Sequence, residues 1–340
     1  MSLLRPAADP SVAVTQLRRW LEDDEPEPLL IETSGSTGQP KRVVLTRDAV
    51  LASAAASGRR LGATGRWLLA LPPTYVAGVQ VIVRSLLAGH DPVMVGDLDR
   101  LAVVVEDADD DTPLFVSLVP TQLHRALAET EQASALARCH TVLLGGGPID
   151  PGLRSRAEDH GIRVVATYGA SETAGGCVYD GLPLDGVAVT IAADARIRMA
   201  GPTLFSGYDG DPALTASTLV DGWFLTSDAG RIDEDGRLHV LGRVDDVVIS
   251  GGVKVPIPAV AARLREHPAV EQVEVVGVVD DEWGQRLVAY VVGGGSDAEL
   301  RDWVGEVHPR SWAPRELVHV DSLPLLPNGK VDRVALRAAR

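Results

Sequence analysis

The chain has 340 residues, 45% of them hydrophobic, with 34 Gly and 22 Pro and a formal net charge of −15. That length allows two or more domains with sizeable cores. The acidic balance argues against a nucleic-acid partner, which would need a basic face to neutralise phosphates, so any anionic substrate must be met by local positive groups.

Residues 11–24 read as an amphipathic opening helix, with Val14, Leu17 and Leu21 on one face. The apolar run Pro28-Leu29-Leu30-Ile31 then enters Thr33-Ser34-Gly35-Ser36-Thr37-Gly38-Gln39-Pro40-Lys41, where hydroxyls, two glycines and a lysine fall within nine residues. Glycines let backbone N–H groups turn toward an anion, hydroxyls add donors and the lysine adds a point charge. The pattern suits phosphates but is not the Walker loop, because two residues separate Gly38 from Lys41 and Arg42 follows. Thr46 is placed to cap a helix through the alanine-rich 49–60. Trp67 to Leu71 reads as a short buried strand, ending in Pro72-Pro73-Thr74-Tyr75-Val76-Ala77-Gly78 and a helix to about Ala88.

Strand-like runs recur at 92–96, 114–118, 141–144 and 162–166 between helical patterns, the signature of a parallel sheet covered on both faces. From about 185 the texture changes to short segments with Asp209-Gly210, Asp221-Gly222 and Asp235-Gly236 turns, read as hairpins of a small β-barrel-like part. Beyond Arg243 a second compact pattern begins, with helices near 257–266 and 297–307 and strands near 271–279, 286–292 and 316–320. The fold class is therefore α/β, with a large domain over 1–243 and a small α+β domain over 244–340.

Cys139 and Cys177 cannot make a disulfide framework and stand in no metal-ligand spacing, so reduced thiols are expected. The first residues lack a signal-peptide core, and no run approaches the ~18 apolar residues of a spanning helix. A cytoplasmic protein without membrane insertion is expected. Only Lys41, Lys254 and Lys330 are lysines among 32 basic residues; each reads either as a place where a compact charge is wanted or as a chance remainder of an arginine-rich composition.

Further stretches offer chemistry. Gly145, Gly146, Gly147 and Pro148 follow a strand and would let a flat ligand approach bare backbone, as an ordinary strand-to-helix turn also would. Tyr168-Gly169-Ala170-Ser171-Glu172-Thr173 supplies an aromatic face, hydroxyls and a carboxylate; adenine could stack on the ring, and Glu172 could hold Mg²⁺ bridging phosphates. Asp228 follows a buried strand and suits the two hydroxyls of a ribose, with Arg243 in support. Lys330 is presented on the loop Pro327-Asn328-Gly329-Lys330-Val331-Asp332-Arg333.

Together and in this order, these stretches resemble the motifs of the acyl-adenylate-forming ligases, a family of acyl-CoA synthetases, luciferases and peptide-synthetase adenylation domains. The resemblance covers essentially the whole chain. It implies ATP, Mg²⁺ and CoA as cofactor and co-substrates, with a carboxylate as the acyl substrate. The loop of Thr33, Ser34, Gly35, Ser36, Thr37, Gly38 and Lys41 would hold phosphates. Gly145, Gly146, Gly147, Pro148, Tyr168, Gly169 and Ser171 would border the nucleotide, and Asp228 and Arg243 the ribose. Glu172 would bind the metal, Glu172, Thr173 and Lys330 would be catalytic, Asp245 would be the interdomain hinge, and Gly251 and Gly252 would lie along the thiol's path.

Two departures stand out. The chain has 32 residues before Thr33, where most family members carry well over a hundred, and Val253-Lys254-Val255-Pro256 replaces the usual Glu-Asn-Val-Tyr. The stretches 73–78 and 117–123 resemble the family's short branch that activates o-succinylbenzoate for menaquinone synthesis; another short aryl- or acyl-CoA ligase stays open. The acyl pocket is expected to draw on Tyr75, Val76, Gly78, Val81, Ser117 and Thr121, with Arg84 the nearest cation for a second carboxylate, or else an exposed helix arginine. A non-catalytic adenylate-binding protein is the alternative of a different class, and a homo-oligomer is left open.

Overall fold

The computed structural model describes residues 2–33, 40–96, 98, 100–108, 111–244 and 246–340. Its central feature is a seven-stranded sheet in the order Val93–Met94, Arg66–Leu69, Leu114–Leu118, Thr141–Leu144, Val164–Ala170, Gly175–Tyr179, Leu182–Pro183. The first five strands run parallel and the last two antiparallel. Alternate residues point to opposite faces of a strand, and both faces of this sheet are apolar. Trp67, Leu69, Phe115, Leu143 and Val165 enter one core, while Leu68, Ala70, Val116, Leu118, Val142 and Leu144 enter another. Helices Pro10–Glu22, Arg47–Leu61 and Val76–Leu87 supply side chains to the first core, and Leu101–Glu106, Pro120–Ala128, Thr130–Arg138 and Pro151–Asp159 to the second.

Local signals explain the boundaries. Asp9 and Thr46 accept backbone N–H groups at the starts of their helices, and Gly62 closes Arg47–Leu61 at φ +76°. Asp221-Gly222 and Asp235-Gly236 make the expected hairpins in a five-stranded antiparallel sheet formed by Ala188–Ile191, Arg196–Ala200, Leu219–Val220, Trp223–Ile232 and Leu238–Arg243. Asp209-Gly210 does not make a hairpin; it leads into helix Pro212–Thr218, where Asp211 accepts the Leu214 N–H.

Strand pairing changes partner between Arg243 and Val247. Val247–Ser250, Val253–Pro256, Val270–Asp280, Gly284–Gly293 and Glu316–His319 form a separate five-stranded sheet, with helices Ile257–Arg265 and Asp297–Val307 on it. The protein is thus a mixed α/β fold with a large sheet-based N-terminal part and a smaller C-terminal one. Cys139 and Cys177 are free and buried, and burial pushes their thiols up to about 12 and about 11. Among the described residues no helix is long and apolar enough to cross a membrane.

Candidate active site

Ligand sites in parallel sheets lie beyond the carboxyl ends of the strands. Here the ends at Leu118, Leu144 and Ala170 release the Val119-Pro120 turn, Gly145 to Pro148, and the turn Ser171–Thr173 along one edge. Buried Gln122 ties the Leu118 end to that of the neighbouring strand Arg66–Leu69: its Oε1 accepts Val119 N–H (3.1 Å) and its Nε2 donates to the Ala70 carbonyl (2.9 Å). Gly145 is required by close approach, since a Cβ there would fall 2.3 Å from Thr167 Oγ1.

The Ser171–Thr173 turn presents Glu172. The Thr173 side chain is fully buried; its hydroxyl accepts Ala170 N–H (2.8 Å) and donates to the Gly175 carbonyl (2.7 Å). Thr173, expected among the catalytic groups, thus has its hydroxyl engaged in shaping the turn. Glu172 is buried and its Oε1 accepts the Tyr208 hydroxyl at 2.8 Å. Burial and this carboxylate hold the Tyr208 phenol well above the ordinary tyrosine value, so it stays a donor.

Tyr208 was missed from the sequence. It lies on the short strand Gly207–Tyr208, which pairs with Arg42–Leu45, the exit strand of the expected phosphate loop. Lys41 Nζ stands 5.3 Å from the centre of its ring, Arg42 pairs with Asp209 at 2.5 Å, and Phe205 N–H donates to the Glu172 carbonyl (2.9 Å). One segment thus links the strand leaving the expected phosphate loop to the carboxylate. The ends of that loop are pinned by Thr33 N–H to the Lys41 carbonyl (2.9 Å) and Lys41 N–H to Thr33 Oγ1 (3.2 Å). Ser34, Gly35, Ser36, Thr37 and Gly38, and the hinge candidate Asp245, lie outside the described residues.

Across the cleft, Tyr168 donates to Asp228 Oδ2 at 2.8 Å, and Asp228 faces Arg243 in register on neighbouring strands. Burial chiefly, with Asp228, raises the Tyr168 phenol far above its ordinary value.

Lys330 reaches the cleft from the C-terminal part. Its loop is a small hairpin, with a Leu325 to Val331 bridge and Leu326 N–H bonded to the Lys330 carbonyl at 2.8 Å. It docks through Thr121 Oγ1, which donates to the Gly329 carbonyl at 2.6 Å. Gly329 has φ +76°, and a Cβ there would fall 2.7 Å from Val119 Cγ2, so glycine is required at this contact. Arg333, also unforeseen, anchors the same segment: it bonds Asp246 at 2.5 Å and Glu274 at 2.7 Å. Asp246 adjoins the junction between the two sheets.

Desolvation pushes the Lys330 ammonium below the ordinary lysine value, and Asp228 and Glu172 partly restore it. The side chain still reaches solvent, so the cleft is open. The protonated form carries the useful charge, and a lowered pKa means that this charge is lost at a lower pH. The alkaline limb of kcat/KM should therefore lie below the ordinary lysine value of 10.5 and move upward in Lys330→Arg. A limb unmoved in that variant would assign the titration to another group.

A Cβ on Gly146 would come 3.2 Å from Lys330 Cε and 3.3 Å from Val119 Cγ1, at a backbone φ of +81°. Gly146→Ala should cost about 1–2 kcal/mol of stability from the left-handed backbone. By displacing the ammonium it should also slow adenylate formation about 10-fold or more. Denaturant unfolding and pyrophosphate release check the two halves.

The remaining sites divide. Tyr75 and Val76 are half-buried at the start of Val76–Leu87, Ser117 is buried near the end of its strand, and Ser171 and Gly169 border the Glu172 turn. Pro148 and Gly147 are exposed on the strand-end turn. Gly78 is buried, and glycine is required there because a Cβ would fall 2.2 Å from the Pro72 carbonyl oxygen. Val81 is fully buried in the core, and Arg84, buried with its guanidinium over Trp67, is not the exposed helix arginine of the alternative expectation. Gly251 and Gly252 form the turn between Val247–Ser250 and Val253–Pro256, with Gly251 against Trp283.

Among the described residues no three His, Cys, Asp or Glu side chains cluster to hold a metal. Glu172 alone fits a hard cation that takes its other ligands from phosphates and water, as Mg²⁺ commonly does in nucleotide sites.

The profile of AMP-binding enzymes matches residues 20–206, and that of the AMP-binding enzyme C-terminal domain matches residues 259–330. The chain belongs to the AMP-binding enzyme family. It is 43% identical over 332 residues to a probable 2-succinylbenzoate–CoA ligase of Mycobacterium tuberculosis, covering 94% of this chain and 86% of that protein. Among solved structures it is similar to o-succinylbenzoate CoA synthetase from Bacillus subtilis in complex with the acyl-adenylate intermediate OSB-AMP, with TM-score 0.78 and 30% identity over 92% of this chain and 69% of that one. The same enzyme in complex with ATP and magnesium ion gives TM-score 0.76 at 29% identity, covering 91% and 69%.

Proposed function

We propose that the chain is an ATP-dependent acid–thiol ligase that converts o-succinylbenzoate to its CoA thioester, releasing AMP and pyrophosphate. The observation that carries this reading is the convergence of Lys330, Glu172 and Asp228 in one cleft, in a chain 43% identical to a ligase named for that acid.

Adenylation brings a carboxylate oxygen against the ATP α-phosphorus, forming a C–O–P link as pyrophosphate leaves. Two anions meet, so compact positive charge is needed where they do. Lys330 supplies it from the C-terminal part. Asp228, held by Tyr168, would accept ribose hydroxyls, with Arg243 beside it. Thr33 and Lys41 would begin and end the phosphate loop. Glu172 would hold Mg²⁺, which would neutralise phosphate charge and orient the leaving pyrophosphate. In the second step the CoA sulfur attacks the acyl carbon, the mixed anhydride C–O bond breaks and AMP leaves.

The segments 1–243 and 244–340 would act as two domains, with Asp245 as the pivot that withdraws Lys330 and opens a thiol path past Gly251 and Gly252. ATP and CoA as co-substrates support a cytoplasmic setting, and the expected partners are small molecules.

The test is a carboxylate panel with ATP, Mg²⁺ and CoA, scored by AMP release. o-Succinylbenzoate should exceed benzoate and medium-chain fatty acids in kcat/KM. Turnover of fatty acids with none on o-succinylbenzoate would overturn the substrate assignment and leave the ligase chemistry standing.

A further inference from the structure

Arg84 is 8% exposed and, among the described residues, its Nε has no hydrogen-bond partner. Among the described residues it makes no ion pair; its guanidinium lies 5.1 Å from the centre of the Trp67 ring. Buried charges are ordinarily paired, because desolvating one alone is costly. A cation–π contact offsets part of that cost and neutralises none of the charge.

The arginine lines a cavity of about 570 Å³ between helices Arg47–Leu61 and Val76–Leu87, open to solvent on one side. Ala54, Leu61, Ala63, Trp67 and Leu87 make most of its wall apolar, with Thr64 and Arg59 as further polar groups. Arg59 is already paired with Asp185 at 2.8 Å and is largely exposed, which leaves Arg84 as the buried cation. The volume is that of an ordinary small-molecule site. Its lining includes none of the cleft residues, and Arg84 lies eight residues beyond Val76, about 12 Å farther along the helix.

We propose that this cavity is a second ligand site, distinct from the catalytic cleft, that takes an organic anion with a flat apolar body. The body packs on Leu87 and the alanine-lined wall, and the anionic group pairs with Arg84. A neutral ligand would leave the guanidinium uncompensated. Inorganic phosphate would leave the apolar wall wet. The inference stands independently of the acyl substrate proposed above.

The probe is 2-naphthalenesulfonate, an anion that cannot be adenylated, titrated by calorimetry into the full-length protein. Saturable binding is expected, unchanged in Lys330→Ala and in the presence of saturating AMP. Arg84→Gln should weaken it at least 10-fold, Arg84→Lys less, and neutral 2-naphthalenemethanol should bind at least 10-fold more weakly than the sulfonate. Ala55→Phe, which fills the rim of the cavity from an exposed position and leaves Arg84 intact, should also abolish binding and guards against an Arg84 variant that fails to fold. No saturable binding to the parent protein, equal binding in folded Arg84→Gln, or competition by AMP would each overturn the proposal.

Discussion

Replacing Lys330 with alanine is expected to slow adenylate formation about 10²–10³-fold, the effect of removing one well-placed electrostatic stabiliser. Its ammonium is the charge that the C-terminal part delivers into the cleft, beside Gly146 and within influence of Asp228 and Glu172. In the proposed role that charge would be needed only while carboxylate and α-phosphate approach. Given preformed acyl adenylate and CoA, the same variant should make thioester at a rate close to the parent's. Rapid quench of the two half-reactions separates them. Equal loss in both would reassign Lys330 to binding or to docking of its loop.

Glu172→Gln should cost about 10²-fold in adenylation. The amide keeps the volume and can still accept the Tyr208 hydroxyl, but it removes the negative charge offered to a cation. Raising Mg²⁺ should recover part of the loss, because the metal's remaining ligands come from substrate and water. Tyr208→Phe provides the contrast: the charge stays and only its donor is lost, so a smaller decrease is expected. If Glu172→Gln adenylates at the parent rate at low Mg²⁺, the carboxylate serves the fold through its buried position alone.

Much of the architecture was legible because two periodicities dominate it. The parallel strands are apolar on both faces and read as continuous runs, and the C-terminal helices carry clear amphipathic spacing. The strand-end turns were legible for another reason: glycine clusters directly after apolar runs imply close backbone approach. The acyl side was less so. Helix Val76–Leu87 is buried from Gly78 to Ser85, so its sequence has no polar stripe to reveal which face meets the cleft. Arg84 was named by nearness in sequence, with an exposed helix arginine as its other reading, and the helix buries it over Trp67. Thr173 shows a different limit, since a hydroxyl beside a carboxylate reads alike whether it faces ligand or caps a backbone turn. Tyr208 and Arg333 act through partners 36 residues and 59 or 87 residues away, and no local pattern announces such pairs.

The burial of Cys139 and Cys177 has a practical consequence. Both sulfurs are shut away from solvent, and their raised pKa values leave almost no thiolate near neutral pH, so the parent chain should be nearly inert to maleimide dyes. Leu325, exposed at the base of the Lys330 hairpin, then becomes a natural attachment point. In Leu325→Cys a single fluorophore could be fixed there without first removing the native thiols. Its emission would convert departure of the hairpin from Thr121 into an optical record, read in real time as each substrate is mixed in.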